Sequence, residues 1–438
     1  MPVTLHFPGS GFLPRDDERA SVVKKCIFAV GLFLAIGPTA TRAAADGYQP
    51  KAAVTAPTRL DWTFALANQS LPDPPADWLK DYDSTKQSYE LYVPPKRDPK
   101  KPLPVIVFIS PSAEPMGWKQ FEPVCKSLGI LFAGARDAGN DCPTKRRVRI
   151  VMDVLDDVRR NYPTDPDRTY VAGFSGGGRI ACAVAFALPD QFGGVMPICA
   201  SGELREETWL RQRVIDRLSV ALMTGDGDFN RGEVERLRGP YLKDVGVRTR
   251  WWEQAGLGHG VPGDKQLTEA VKWLEEGVEQ RRKLAKDYPA MRLAGDAAPS
   301  RDDAAKALLA EGKQRLEAKE TVYRGLMLLQ GCMKRWPDLP AADEAKKILL
   351  DYDARKEKPW EAEDVAEQRR FLIAEARSLD AYASGDLPPQ YVKERPDVAK
   401  AAIKRWQMVL EDGVDADACR EAKKRIPALE KLAEGSDK

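Results

Sequence analysis

Histidine is almost absent from this sequence. Two occur in 438 residues, His6 and His259. Any chemistry that needs an imidazole in the body of the chain must therefore use His259 or borrow one from a partner. Metal-binding patterns are missing as well. No Cys-x-x-Cys pair occurs among the seven cysteines, and two histidines cannot complete the usual zinc ligand sets. Neither sign of charge dominates. Lys plus Arg number 68 and Asp plus Glu 66, which leaves no overall field to attract nucleic acid or an anionic membrane. Long apolar runs are also lacking. The run "CIFAVGLFLAIG", residues 26–37, falls short of the roughly 20 residues that a spanning helix needs.

That short run has the composition of an export signal. Lys24 and Lys25 precede it, and Ala43, Ala44 and Ala45 follow with small residues suited to cleavage. The pattern predicts a signal peptide over residues 1–45, an exported chain and no membrane span after cleavage; a retained anchor is the alternative. Asp16, Asp17 and Glu18 are unusual ahead of such a signal and predict a true start near residue 22. Cys26 precedes the apolar run and is badly placed for a lipid anchor. Six cysteines follow the signal, at 125, 142, 182, 199, 332 and 419. They can pair, Cys125 with Cys142 for instance, or remain as buried thiols; six cysteines allow about 15 pairings and spacing does not choose among them.

The rest of the chain divides by pattern. Residues 46–57 are rich in Ala, Pro and Thr and read as a linker. Residues 58–87, with Trp62 and Trp78, read as an N-terminal cap. From 88 to 286 strand and helix signals alternate. "SYELYV", "PVIVFIS", "GILFAGA", "TYVAGF", "GGVMPIC", "LSVALMTG" and "VRTRWWEQ" are strand-like, and several are continuous apolar runs of the kind buried on both faces. Between them, Val148, Val151, Met152, Leu155 and Val158 mark one face of a helix. Such alternation predicts an α/β domain with a mostly parallel sheet flanked by helices. Trp251 and Trp252 fall on opposite faces of the last strand, where core packing is the simpler role. A second linker spans 287–300, and 301–438 reads as an all-α domain of about six helices. Glu-Ala-Lys-Lys recurs in "PAADEAKKILL" and "DADACREAKKRI", which fits either stacked tetratricopeptide-like hairpins or an ordinary bundle.

Chemistry concentrates in the α/β part. Gly173-Phe174-Ser175-Gly176-Gly177 fits G-x-S-x-G, in which a sharp strand-to-helix turn exposes a serine hydroxyl above the sheet. Average glycine usage supplies the pattern by chance about once in ten chains of this length. Here an apolar strand precedes it and "RIACAVAFAL" follows, which is the context the turn requires. The N–H of Gly176 then points at a developing oxyanion, helped by the positive end of the new helix. A serine needs a base, and His259 lies downstream in "GLGHG" after the last strand. The base needs an orienting carboxylate. Asp228, in "TGDGD" after a strand, is the better placed; Asp226 comes sooner and suits the turn itself. The second oxyanion donor belongs in the loop "SPSAEP" after the strand 104–110. Pro111 has no N–H, which leaves the N–H of Ser112 or Ala113, with the Ser112 hydroxyl as a helper.

These residues carry a family likeness. "LPVIVFIS", "DRTYVAGFSGGGRIACAVAFALPDQF", "TGDGD" and "GLGHG" resemble the α/β-hydrolase superfamily, and within it secreted esterases of the poly(3-hydroxybutyrate) depolymerase and feruloyl esterase type, over roughly 85–285. The resemblance implies a nucleophile at Ser175, an acid at Asp228, a base at His259, and ester hydrolysis through an acyl-enzyme without a cofactor. Two departures stand out. Ser110-Pro111 replaces the His-Gly that many members carry, and the helical region after 300 is not covered. The expectation is thus an exported serine hydrolase acting on a small-molecule or polymer ester, with no nucleic-acid partner. A peptidase of prolyl-oligopeptidase type is one alternative. A hydrolase-like scaffold whose helical domain binds a protein is the other.

Overall fold

Apolar strands without alternation need cover on both faces, and the structure supplies it. The computed structural model describes residues 46–95, 98, 100–290 and 298–435. The signal-peptide reading of 1–45, and part of the second linker, lie outside these residues. Eight strands form one sheet: β1 Gly47–Ala53, β2 Ser88–Val93, β3 Leu103–Ile109, β4 Leu131–Ala135, β5 Thr164–Phe174, β6 Gly194–Ile198, β7 Ser219–Gly225 and β8 Arg248–Gln254. Their order is β1-β2-β4-β3-β5-β6-β7-β8. From β4 to β8 every pairing is parallel, and β2 runs against both its neighbours. This order, with a single reversed strand, is that of the α/β-hydrolase fold.

Odd and even residues of β3 part to opposite faces. Val105, Val107 and Ile109 join one core with α2 (Thr144–Asn161), α3 (Gly176–Ala187) and α4 (Thr208–Arg217). Ile106 and Phe108 join a second core with α1 (Trp118–Leu128) and α6 (Asp264–Glu276). The short α5 (Gly239–Asp244) follows a π-helical segment, Glu233–Arg238, and α7 (Val278–Asp287) closes the α/β part. Trp252 packs edge-on against Trp273 in the second core, while Trp251 stands on the exposed face.

Residues 46–57 correct the sequence reading. Gly47–Ala53 is not a linker but the edge strand β1, paired with β2. Pro50 made it look like a loop. A proline is tolerated in a sheet at an edge or a bulge, and the register of β1 shifts between Gln49 and Ala52. The following segment is stitched to α2 by three buried aspartates. Asp157 accepts from Thr55 N–H at 2.8 Å and Tyr89 Oη at 2.7 Å. Asp153 accepts from Thr58 N–H at 2.7 Å, Tyr82 Oη at 2.7 Å and Ser84 Oγ at 2.6 Å. Asp156 accepts from Arg59 N–H at 2.8 Å and pairs with its guanidinium.

The C-terminal region is all helical. It comprises α8 (Arg301–Arg315), α9 (Val322–Arg335), α10 (Pro340–Asp353), α11 (Trp360–Ser384), the short α12 (Pro389–Val392), α13 (Arg395–Asp412) and α14 (Ala416–Ala433). The two Glu-Ala-Lys-Lys stretches fall on α10 and α14. Helices α8–α10 contribute Leu308, Leu329 and Ala345 to the first core of the sheet domain, and Trp336, at the end of α9, joins them. Trp406, Val409 and Leu429 of α13 and α14 build a core of their own with α11. Between α4 and α8 lies a buried ion pair. Arg213 gives Nη1 and Nη2 to the Glu311 carboxylate at 2.9 and 2.6 Å, with side chains 2% and 1% exposed. Arg315 adds a second cation to Glu311 at 2.9 Å. Among the described residues no helix is long and apolar enough to cross a membrane.

Two predictions follow from this packing. Glu311→Ala removes the carboxylate that buried Arg213 and Arg315 share and leaves Arg213 with Asp190 alone, at 3.1 Å; breaking a buried pair costs about 3–5 kcal/mol, and the urea unfolding midpoint of the full chain should fall, by less than that full cost. The six described cysteines are all unpaired. Cys125, Cys182, Cys199 and Cys332 are buried; burial, with a smaller push from the Glu344 charge, raises the Cys332 thiol to about 12, and burial foremost drives the other three higher still. Iodoacetamide at neutral pH should therefore modify only Cys142 and Cys419 of this set in the native protein, and all six after denaturation, as read by mass spectrometry.

Candidate active site

The carboxyl ends of the parallel strands gather the candidate residues at one edge of the sheet, where open α/β sheets place their ligands. Ser175 follows β5, and α3 begins at the next residue. Its backbone is held at φ 54°, ψ −124°, a region that typically costs a non-glycine residue about 1–3 kcal/mol. Close packing of strand against helix enforces the turn. A Cβ on Gly173 would stand 2.3 Å from Gly177 O, and one on Gly177 would stand 2.1 Å from Ile109 O. Ser175 N–H donates to Ile198 O at 2.8 Å, and Ser175 O accepts from Gly178 N–H at 2.9 Å.

The structure brings Ser175, His259 and Asp228 into one hydrogen-bonded line. Ser175 Oγ is 2.9 Å from His259 Nε2, and His259 Nδ1 is 2.7 Å from Asp228 Oδ1. The three groups span 84 residues of sequence and meet because β5, β7 and β8 end at the same edge of the sheet. His259 sits between two rings. Phe174 approaches it at 4.9 Å, and Phe229 stacks on it at 3.9 Å while remaining 41% exposed. The imidazole is thus fixed in orientation but reachable.

Asp228 is buried, and its acceptor sites are filled. Oδ1 takes the His259 ring N and the Asn230 N–H at 3.0 Å, and Oδ2 takes the Thr224 hydroxyl at 2.7 Å. Asp226 is exposed, with its N–H on Gln254 O at 3.2 Å, and helps to shape the turn. Asn230 extends the arrangement. Its Nδ2 donates to Cys199 O at 2.9 Å, and its Oδ1 accepts from Tyr391 Oη at 2.9 Å. Tyr391 belongs to α12, so the helical region reaches the acid loop directly.

The oxyanion side is built differently from expectation. The Gly176 N–H stands at the start of α3, where no helix residue can accept it. Ser112, however, turns its N–H onto Ser110 Oγ at 3.1 Å, and its hydroxyl donates to Glu114 O at 3.0 Å. Of the two candidates in this loop, Ala113 alone keeps a backbone N–H with no acceptor among the described residues.

One cluster of potential metal-binding side chains occurs among the described residues. Ligand atoms of Cys199, Asp228 and His259 lie within 4.8 Å of one another. Its chemistry does not suit a cation. The Cys199 Sγ–H donates to Gly260 O at 3.2 Å, and burial beside Asp228 keeps the thiol protonated.

Sequence reasoning missed Thr224, Asn230, Asn140, Phe229 and Tyr391. Thr224 and Asn230 flank Asp228 closely enough that side-chain capping of a turn carboxylate could have suggested them. Asn140, in the loop between β4 and α2, and Tyr391, on α12, come from distant parts of the chain with no local signal. A cavity of about 290 Å³ lies elsewhere, where Trp62, Arg213, Arg301 and Trp336 meet.

No protein-family model matches this sequence, and no curated protein does. Similar solved structures include an S-formylglutathione hydrolase from Staphylococcus aureus, at 16% identity over 44% of this chain and 93% of that one, TM-score 0.35. A thermostable esterase matches at 19% identity over 44% of this chain and 60% of that one, TM-score 0.35. Est1E from Butyrivibrio proteoclasticus matches at 17% identity over 46% and 96%, TM-score 0.34. The fold assignment made above rests on strand order and direction, independently of these likenesses.

Proposed function

We propose that this chain is an exported serine hydrolase that cleaves carboxylic esters through an acyl-enzyme. The observation that carries the reading is the relay from Ser175 Oγ through His259 to Asp228, at 2.9 and 2.7 Å, on a strained turn at the carboxyl edge of the sheet. Ser175 Oγ attacks the ester carbonyl while His259 Nε2 takes its proton. The carbonyl electron pair moves to oxygen, which the Gly176 and Ala113 N–H groups stabilise. The intermediate collapses, and His259 returns a proton to the leaving alcohol. Water repeats the sequence to release the acid. Asp228 holds Nδ1–H and offsets the charge of the imidazolium.

Export rests on the residues 24–45 pattern. The narrower assignment to depolymerase or feruloyl esterase chemistry rests on the sequence resemblance alone. Exposed Phe229, stacked on His259, supplies an apolar contact beside the relay, consistent with an aryl or alkyl ester.

A fluorophosphonate probe should label the wild-type protein and not Ser175→Ala. An unlabelled wild type would refute the reading. Asp228→Asn keeps the shape but favours the wrong histidine tautomer, and kcat on 4-nitrophenyl acetate should fall about 10⁴-fold. Nitrophenyl esters of graded acyl length then size the acyl site; an amide substrate turned over faster than the matching ester would overturn the ester assignment.

A further inference from the structure

The oxyanion side of the turn holds a polar side chain that the relay does not use. Asn140 stands in the loop between β4 and α2. Its N–H donates to Pro111 O at 2.8 Å, and Asp137 N–H donates to Ala113 O at 2.7 Å. From α2 the buried Arg147 gives Nε to Ala138 O at 2.7 Å. The loops after β3 and β4 are therefore laced together, and the Asn140 backbone is fixed.

This lacing lays the Asn140 carboxamide against Gly176. A Cβ built on Gly176 would lie 2.0 Å from Asn140 Oδ1, 2.8 Å from Cγ and 3.1 Å from Nδ2. A side chain at 176 would have to push the amide aside. The carboxamide itself is exposed and has no hydrogen-bond partner among the described residues. A side chain held through its backbone, left unpaired, and set against the residue whose N–H faces the reacting carbonyl serves no evident need of the fold.

We propose that Asn140 is a third oxyanion donor, its Nδ2–H bonding to the tetrahedral oxygen beside the N–H groups of Gly176 and Ala113. The inference rests on the ester-hydrolase reading above. In the step, the Ser175 Oγ–carbon bond forms, the carbonyl π pair becomes the oxyanion, and the serine proton passes to His259. Asn140 keeps its protons throughout and contributes a fixed dipole. Because the oxygen carries far more charge in the transition state than in the ester, such a donor acts on kcat rather than KM. It adds a side-chain donor from the next loop to a site where the Ser112 N–H is committed to Ser110 Oγ.

The test compares wild type with Asn140→Ala and Asn140→Asp on 4-nitrophenyl acetate, with thermal unfolding measured in parallel. Asn140→Asp keeps the shape but has no N–H to donate. Both variants should lose about 100-fold in kcat, the usual cost of one oxyanion donor, with KM nearly unchanged and an unfolding temperature equal to wild type. Gly176→Ala, which retains the N–H at 176 but displaces the amide, should show a comparable kcat loss. Wild-type kcat in both Asn140 variants overturns the proposal. So does a loss in Asn140→Ala that Asn140→Asp does not share, which would mark the amide as packing only. In either case Ser175-dependent labelling stands and the ester-hydrolase reading survives. An unlabelled wild type removes that reading and this inference together.

Discussion

The turn at Ser175 is the constraint on which the site depends. A serine at positive φ is unfavourable alone, and three arrangements hold it there. β5 is locked between β3 and β6 in parallel register, so its end cannot slide. Gly173 and Gly177 let α3 start almost in contact with the strand it leaves. Ile198 O captures the Ser175 N–H. Strain at one residue is thereby borne by a sheet that is buried on both faces, and the hydroxyl is left above the edge with one place to go, toward His259.

The same edge shows how burial divides the labour of the relay. Asp228 lies under the loop with its oxygens occupied by Thr224, Asn230 and His259. A carboxylate so held orients the imidazole while the imidazole faces the substrate. Stacking by Phe229 restricts the ring further, at a surface where solvent would otherwise let it turn.

Legibility in the sequence followed the range of each interaction. Strands β2 to β8 and the serine turn were readable because their signals are local: unbroken apolar runs, glycine spacing, a helix period after the turn. Asp228 and His259 were readable because the order of strands fixes where their loops fall. β1 was not, since Pro50 and small residues imitate a linker, and an edge strand with a bulge leaves little pattern. The burial of the aspartates at 153, 156 and 157 was not legible either. They are buried because a distant segment brings its hydroxyls and N–H groups to them, which no helical period encodes. Asn140 and Tyr391 were invisible for the same reason, as each meets the site through a contact between segments far apart in sequence.

The helical region looked like an appendage when read as sequence, because it follows a complete α/β pattern. Its contacts argue otherwise. Helices α8 to α10 extend the first core of the sheet domain, and Glu311 supplies the carboxylate that makes a buried Arg213 tolerable. Desolvated charges of this kind pin two elements in one register, because any slippage leaves an ion unpaired. Farther along, Ser378 donates to Leu237 O, and Tyr391 donates to Asn230 beside Asp228. The acid loop therefore lies between two bodies of the chain, held from one side by β7 and from the other by α12. A site so placed inherits its geometry from both: Cys199 O holds one end of the Asn230 carboxamide and the Tyr391 hydroxyl the other, while the Asn230 N–H holds the Asp228 carboxylate in line with His259.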